Sequence, residues 1–252
     1  MNRTMIMASA GAAGVLAFVL GCGGNAVASG TGGGGAADEV PAVFRRFAGT
    51  VEVSADGDEI VLRSNDVPDH GSPYFPVGDP RHQAYDGSNP AFRQNPFQIR
   101  EQQLVIRIPR NPRRAASSSP TPLGPIGMAV NGVAIFNQYA GGGRPLTDEI
   151  NGFDQHNGHP QQTGAYHYHA EPFHLTRTRG SGALIGFLLD GFPVYGPVEN
   201  GRRVTNADLD DLHGHMGATA DYPNGIYHYH VTAEDPYING AGFYGVPGTA
   251  SR

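Results

Sequence analysis

Three landmarks occur twice along this chain, in the same order, and that duplication limits its fold more than any other feature. The first is Ile126-Gly127-Met128-Ala129-Val130-Asn131-Gly132-Val133-Ala134-Ile135-Phe136, matched by Ile185-Gly186-Phe187-Leu188-Leu189-Asp190-Gly191-Phe192-Pro193-Val194-Tyr195. Each copy is an apolar run, an Asn-Gly or Asp-Gly pair and a second apolar run, which is a strong short-range hairpin signal. The second landmark is Asp154-Gln155-His156-Asn157-Gly158-His159, which aligns with Asp211-Leu212-His213-Gly214-His215 if the second copy is one residue shorter. The third is Gly164-Ala165-Tyr166-His167-Tyr168-His169, which returns as Gly225-Ile226-Tyr227-His228-Tyr229-His230. Two copies are too few for a solenoid. The expected fold is therefore a pseudo-twofold pair sharing one core, with repeat one at about 126–174 and repeat two at about 185–235.

The remaining texture agrees with a mainly β domain of short strands and hairpins over 43–252. The chain holds 37 Gly and 20 Pro, and only 16% of its residues are charged, a composition rich in turns and poor in long surface helices. Thr50 to Val53, a turn at Ala55-Asp56-Gly57-Asp58, and Glu59 to Arg63 read as strand, turn and strand. Gln103 to Ile108 reads as a further strand and Pro109 to Pro125 as a Pro/Ser-rich loop. No helical period is sustained, apart from a short helix at Asn206 to Leu212 capped by Asn206.

The first residues have a different character. Residues 1–21 read as a signal peptide, with Arg3 as the positive start and Met5 to Leu20 as the apolar stretch. Val19-Leu20-Gly21-Cys22 resembles the bacterial lipobox, and Cys22 is the one Cys in the chain. Residues 22–42 then form a Gly/Ala-rich tether. These features predict export and a lipid anchor at Cys22, with the membrane as partner through that lipid. The location is then the cell envelope, at the outer membrane in a cell with two membranes.

The two Tyr-His-Tyr-His motifs, the Gly-His pairs before them and Asp190-Gly191-Phe192-Pro193-Val194-Tyr195-Gly196 resemble the YHYH family of secreted and membrane-attached bacterial proteins. Pro68-Asp69-His70-Gly71-Ser72-Pro73-Tyr74-Phe75 is similar to that family's upstream region. The likeness runs over roughly Ile60 to Tyr244. It implies kinship and an exported location but no activity, because the family is named for its motif.

Of the 11 His, all but His70 and His82 lie between His156 and His230. On a strand, residues two apart share a face about 6–7 Å apart along the backbone, so His167 and His169 point one way and Tyr166 and Tyr168 the other. The same holds for His228 and His230 against Tyr227 and Tyr229. A third ligand, His159 or His215, would complete a three-His set in each copy. Asp154, Asp211, His156 and His213 are weaker candidates that would ligate or orient a ring. A nitrogen-rich set without sulfur suits a transition metal, Zn or Cu before Mg or Ca. Each copy could bind its own ion, or all four motif imidazoles could converge on one.

Two other readings stand beside the metal site. His and Tyr could form a buried hydrogen-bond network in a structural or ligand-binding envelope protein. Three His with an open position could also make a metal-dependent hydrolase or oxidoreductase. No catalytic residue is singled out, since the chain has no Gly-x-Ser-x-Gly elbow. The complete absence of Lys excludes a lysine Schiff base, a phosphate-binding Walker loop and a lysine-rich nucleic-acid surface. The net charge of −6 likewise gives no nucleic-acid partner.

Mass spectrometry of the mature N-terminus should find a lipid-modified Cys22, and Cys22→Ser should move the protein out of the membrane fraction. An unmodified chain starting elsewhere would refute the anchor.

Overall fold

Each Asn-Gly or Asp-Gly segment closes a hairpin whose strands are too short to stand alone, so its edges must find partners. In the computed structural model, which describes residues 39–240 and 242–252, those partners come from within the chain. Strand β1 (Pro125–Ala129) turns back into β2 (Ala134–Phe136), and β5 (Leu184–Leu188) turns back into β6 (Pro193–Tyr195). In the turns, Gly132 N–H donates to Ala129 O and Gly191 N–H to Leu188 O. Gly132 has φ 87° and Gly191 φ 81°, the left-handed region that Gly occupies at no steric cost.

Four further strands carry the histidines: β3 (Gly158–Pro160), β4 (Tyr166–Tyr168), β7 (Gly214–Gly217) and β8 (Ile226–His230). Together they form one eight-stranded sheet of order β7-β8-β6-β5-β1-β2-β4-β3. Moving outward from the central antiparallel pair β1/β5, each half adds the second hairpin strand, then the Tyr-His-Tyr-His strand in parallel, then the Gly-His strand antiparallel. The two halves thus have the same strand order and pairing sense. Each strand of β2, β4, β5 and β6 is buried throughout, which explains their continuous apolar runs.

A second, antiparallel sheet joins Glu52–Asp56, Glu59–Ser64, Leu104–Pro109 and Thr249–Ser251. Its alternating Leu104, Ile106 and Ile108 enter the same core as Ile126, Ile135, Phe187 and Val194. Phe44, on the 3-10 helix Ala42–Arg46, stacks on Phe187 at 4.6 Å.

Three local expectations are corrected. Arg114–Ser119, inside the expected loop 109–125, is a strand paired with Phe243–Gly245. Its small side chains give no apolar alternation to read. An α-helix spans Phe173–Arg179; Pro172 precedes it, Gly180 at φ 103° ends it, and it is too short to display a period. The turn at Asn206–Asp208 is a 3-10 helix capped by Thr205 and Asp208 as a capping box, so Asn206 is not its cap. The signal, Cys22 and nearly all of the tether lie outside the described residues.

The central pair leaves no room for side chains at two matching glycines. A Cβ on Gly127 would strike Phe187 O, and one on Gly186 would strike Met128 O, both backbone atoms that cannot swing aside. Gly186→Ala should therefore destabilise the chain by about 1–3 kcal/mol, the usual cost of overpacking, read from the urea midpoint. An unchanged midpoint would mean that β1 and β5 are not in contact.

Candidate metal centres

Strand pairing brings the third imidazole of each set into place. In the β3/β4 register His159 lies directly opposite His167, and in β7/β8 His215 lies opposite His228. Directly opposed residues have Cβ atoms about 4.5–5.5 Å apart. His169 and His230 sit two residues further along the same face. Ring centroids are 4.5 Å apart for His159–His167 and 4.8 Å for His167–His169. The matching values are 4.6 Å for His215–His228 and 4.9 Å for His228–His230. The longer loop from His215 to His228 leaves this register intact.

A carboxylate completes each group, and neither was anticipated from sequence. Glu149 Oε1 lies 3.2 Å from His159 Nε2 and 3.8 Å from His169 Nε2. Glu199 Oε1 lies 3.2 Å from His228 Nε2 and 4.0 Å from His230 Nε2, with its Oε2 3.6 Å from His215 Nε2. In each of the two groups, four donor atoms fall within 4.8 Å of one another.

The other ring nitrogens are held from behind. His167 Nδ1 donates to Ala165 O (3.1 Å) and His169 Nδ1 to Asn137 O (2.6 Å). In the second copy His228 Nδ1 donates to Ile226 O (3.0 Å) and His230 Nδ1 to Gly196 O (2.9 Å). These bonds put the proton on Nδ1 and leave the Nε2 lone pair facing the group. Asn95 Nδ2 lies 3.4 Å from His159 Nδ1 on its outer side. The Nε2 atoms of His169 and His230 are buried and make no hydrogen bond, a costly state for a polar atom with no ligand.

The Tyr face does the complementary work. Tyr166 OH donates to Asp154 (2.9 Å) and Tyr227 OH to Asp210 (2.9 Å). Tyr168 OH accepts from Asn131 Nδ2 (3.1 Å), and Tyr229 OH donates to Asp190 Oδ2 (2.7 Å). The turn residues Asn131 and Asp190 therefore hold the neighbouring strand as well as their own hairpins. Burial pushes Asp154 up to about 6 and also raises Asp190.

The structure realigns the second landmark. Asp154 accepts from the backbone N–H of His156 and Gly158, and Asp210 accepts from Leu212 and Gly214. Asp210, not Asp211, is thus the partner of Asp154, and the two loops are equal in length. Asp154 faces the Tyr side and does not ligate; Asp211 is exposed and bonds to none of the clustered rings among the described residues. His213 corresponds to Asn157, each at positive φ (72° and 61°), and its Nε2 bonds Asn206 and Thr232. His156 stands apart on the Tyr side, 4.0 Å from the His70 ring and 5.5 Å from that of His174. His70 is buried and bonds Tyr168 OH at 3.0 Å.

Four strands separate β4 from β8, about 24 Å at a spacing of about 4.8 Å, so the four motif imidazoles do not converge on one point. Each group opens into its own cleft. Cleft one is about 730 Å³ and includes Glu149, His159, His167 and His169. Cleft two is about 870 Å³ and includes Glu199, His228 and His230.

Burial favours the neutral form of several imidazoles. It lowers His169, His230 and His156 to about 4 and His70 to about 3, with neighbouring imidazoles adding to the effect. His167, His213 and His215 are lowered for the same first cause. Stability from a depressed His is complete above its unfolded value near 6.5 and lost as pH falls towards the folded value. Asp66, pushed up to about 7 by burial, Asp154 and Asp190 act in the opposite sense, but the imidazoles outnumber them. The urea midpoint of metal-free protein should therefore fall steadily from pH 6.5 to about 4. A flat profile would show that these rings are not buried neutral.

Comparison with known proteins fits this architecture. No curated protein and no solved structure matches the chain. The family model described as YHYH protein matches residues 105–203 and 198–242, a region that holds both hairpins, both His/Glu groups and both Tyr faces. The chain belongs to the YHYH family.

Proposed function

We propose that the protein is an exported, lipid-anchored metalloprotein that carries two transition-metal centres, one per repeat. Three imidazoles and one carboxylate would hold the ion in each: His159, His167, His169 and Glu149, and His215, His228, His230 and Glu199. The observation that carries this reading is the pair of inward Nε2 atoms, on His169 and His230, buried without a hydrogen bond while their Nδ1 protons are engaged outside. Buried ring nitrogens elsewhere, His156 Nδ1 and His213 Nδ1, are also unbonded, but those of His169 and His230 face three further donors each.

The donor set of three nitrogens and one oxygen suits Zn or Cu. Ligands at about 2.0–2.1 Å from a tetrahedral ion lie about 3.3 Å from each other. The His215 and His228 Nε2 atoms, 3.1 Å apart, and the shortest Glu–His distances of 3.2 Å are already close to that value. The donors of each group lie within 4.8 Å of one another, so the widest pairs would close by up to about 1.5 Å to reach that spacing. Each group faces a cleft, so water or substrate could reach a bound ion there as a fifth ligand or in place of the Glu, as hydrolytic or oxidising chemistry would require.

Elemental analysis of untagged, full-length protein should find two equivalents of metal per chain. His167→Ala with His169→Ala should leave one equivalent and leave export unchanged, and His228→Ala with His230→Ala should do the same at the other repeat. Since burial depresses His169 and His230 to about 4, the metal should be retained well below pH 6.5 and released towards pH 4. No metal after reconstitution would leave the hydrogen-bond network as the role of these residues.

A further inference from the structure

The two groups of donors are alike, but the clefts above them are not, and the differences fall at matching positions. The last residue of β2 is Phe136 and the last of β6 is Tyr195. Phe136 stacks on His167 at 4.0 Å and presents no polar atom. Tyr195 instead spends its hydroxyl on Thr219 (2.8 Å) and Asp221 (3.2 Å), and Asp221 is paired with Arg46 at 2.8 Å. Two residues before β1 stands Leu123; two before β5 stands Gly182. Tyr139 opens the small strand Tyr139–Ala140, where the second copy has Val198 in Val198–Glu199. Leu123 is 59% exposed and Tyr139 42% exposed, and both line cleft one.

Exposed large apolar side chains that meet at a concave opening mark a ligand site more often than chance exposure does. Arg93 and Asp148 both line cleft one, neither in a salt bridge among the described residues, so their charges offset, and Arg252 there pairs with Asp66. Cleft two has its guanidinium groups engaged, Arg46 on Asp221 and Arg179 on Arg46 O. A divalent ion held by three neutral imidazoles and one carboxylate would keep one net positive charge. An anion is therefore the ligand that cleft one complements at its floor, with apolar walls above it.

We propose that cleft one binds a small aromatic anion, an arenecarboxylate, with the carboxylate at the metal and the ring between Phe97, Leu123, Phe136 and Tyr139. This rests on the metal-centre reading above. Cleft two, where Gly182 and Val198 stand in place of Leu123 and Tyr139 and the Tyr195 hydroxyl is engaged, does not share this ligand.

The test is calorimetric titration of the Zn-loaded, full-length protein with 2-naphthoate and, separately, with acetate. Naphthoate should bind at one equivalent per chain, at least tenfold more tightly than acetate. Leu123→Ser with Tyr139→Ser should weaken naphthoate at least tenfold while metal content stays at two equivalents. Tyr195→Phe, in cleft two, should change nothing. A chain that holds no metal overturns the metal-centre reading, and this inference with it, before any probe is added. A chain with both metals that binds acetate as tightly as naphthoate, or binds two naphthoates, overturns this inference alone. So does an unaffected double variant, or equal binding by the EDTA-treated protein.

Discussion

The bond from a motif tyrosine to a carboxylate or amide governs this structure. Side chains on a strand alternate, so fixing one face fixes the other. Tyr166 on Asp154 and Tyr168 with Asn131 lock the first motif strand in register and leave His167 and His169 on the opposite face. Tyr227 on Asp210 and Tyr229 on Asp190 do so for the second. A slip by one residue would bury imidazoles against Asp154 and leave tyrosine hydroxyls where the clustered imidazole nitrogens now sit. It would also strand Asp154 and Asp190, whose burial without donors costs several kcal/mol.

The same bonds join local to distant parts of the chain. Asn131 and Asp190 sit in hairpin turns, while Asp154 and Asp210 sit in the loops just before β3 and β7. Each anchored tyrosine therefore ties its strand to a turn or loop formed elsewhere in its repeat. This explains how β3 and β7 reach the correct register although the loops that follow them differ in length. It also explains why so much polar surface is tolerated inside a β core: on the Tyr side, each of the four motif hydroxyls has a partner.

What could be read from sequence follows from which interactions are periodic. The hairpins, the Tyr and His faces and the six imidazoles His159, His167, His169, His215, His228 and His230 were legible because alternation and duplication encode them directly. Glu149 and Glu199 were not, because they come from unlike places: a 3-10 helix and a two-residue strand. Matching each to the other copy puts Thr205 at the position of Glu149 and Ala140 at that of Glu199. A search for repeated residues passes over both. The landmark alignment failed for a related reason. The His in His156 and His213 attracted the match, whereas the backbone hydrogen bonds align Asp154 with Asp210. Spacing from the Gly-His pair, which is the same in both copies, carried the true signal.

That contrast gives the duplicated frame its physical logic. Three donors per repeat depend on strand register, which β-pairing and the Tyr anchors hold in common, so they cannot drift independently of the sheet. The fourth donor and the cleft walls come from short connecting segments that pack on the sheet without being part of its ladder. Such segments accept changes of sequence without disturbing the pairing beneath. A carboxylate can therefore approach the same three imidazoles from either segment, and the residue at the end of the second hairpin strand can be Phe136 in one copy and Tyr195 in the other. Divergence of two chemically similar centres is thus a property of where their parts are anchored: the nitrogens on the ladder, and whatever distinguishes the centres beyond it.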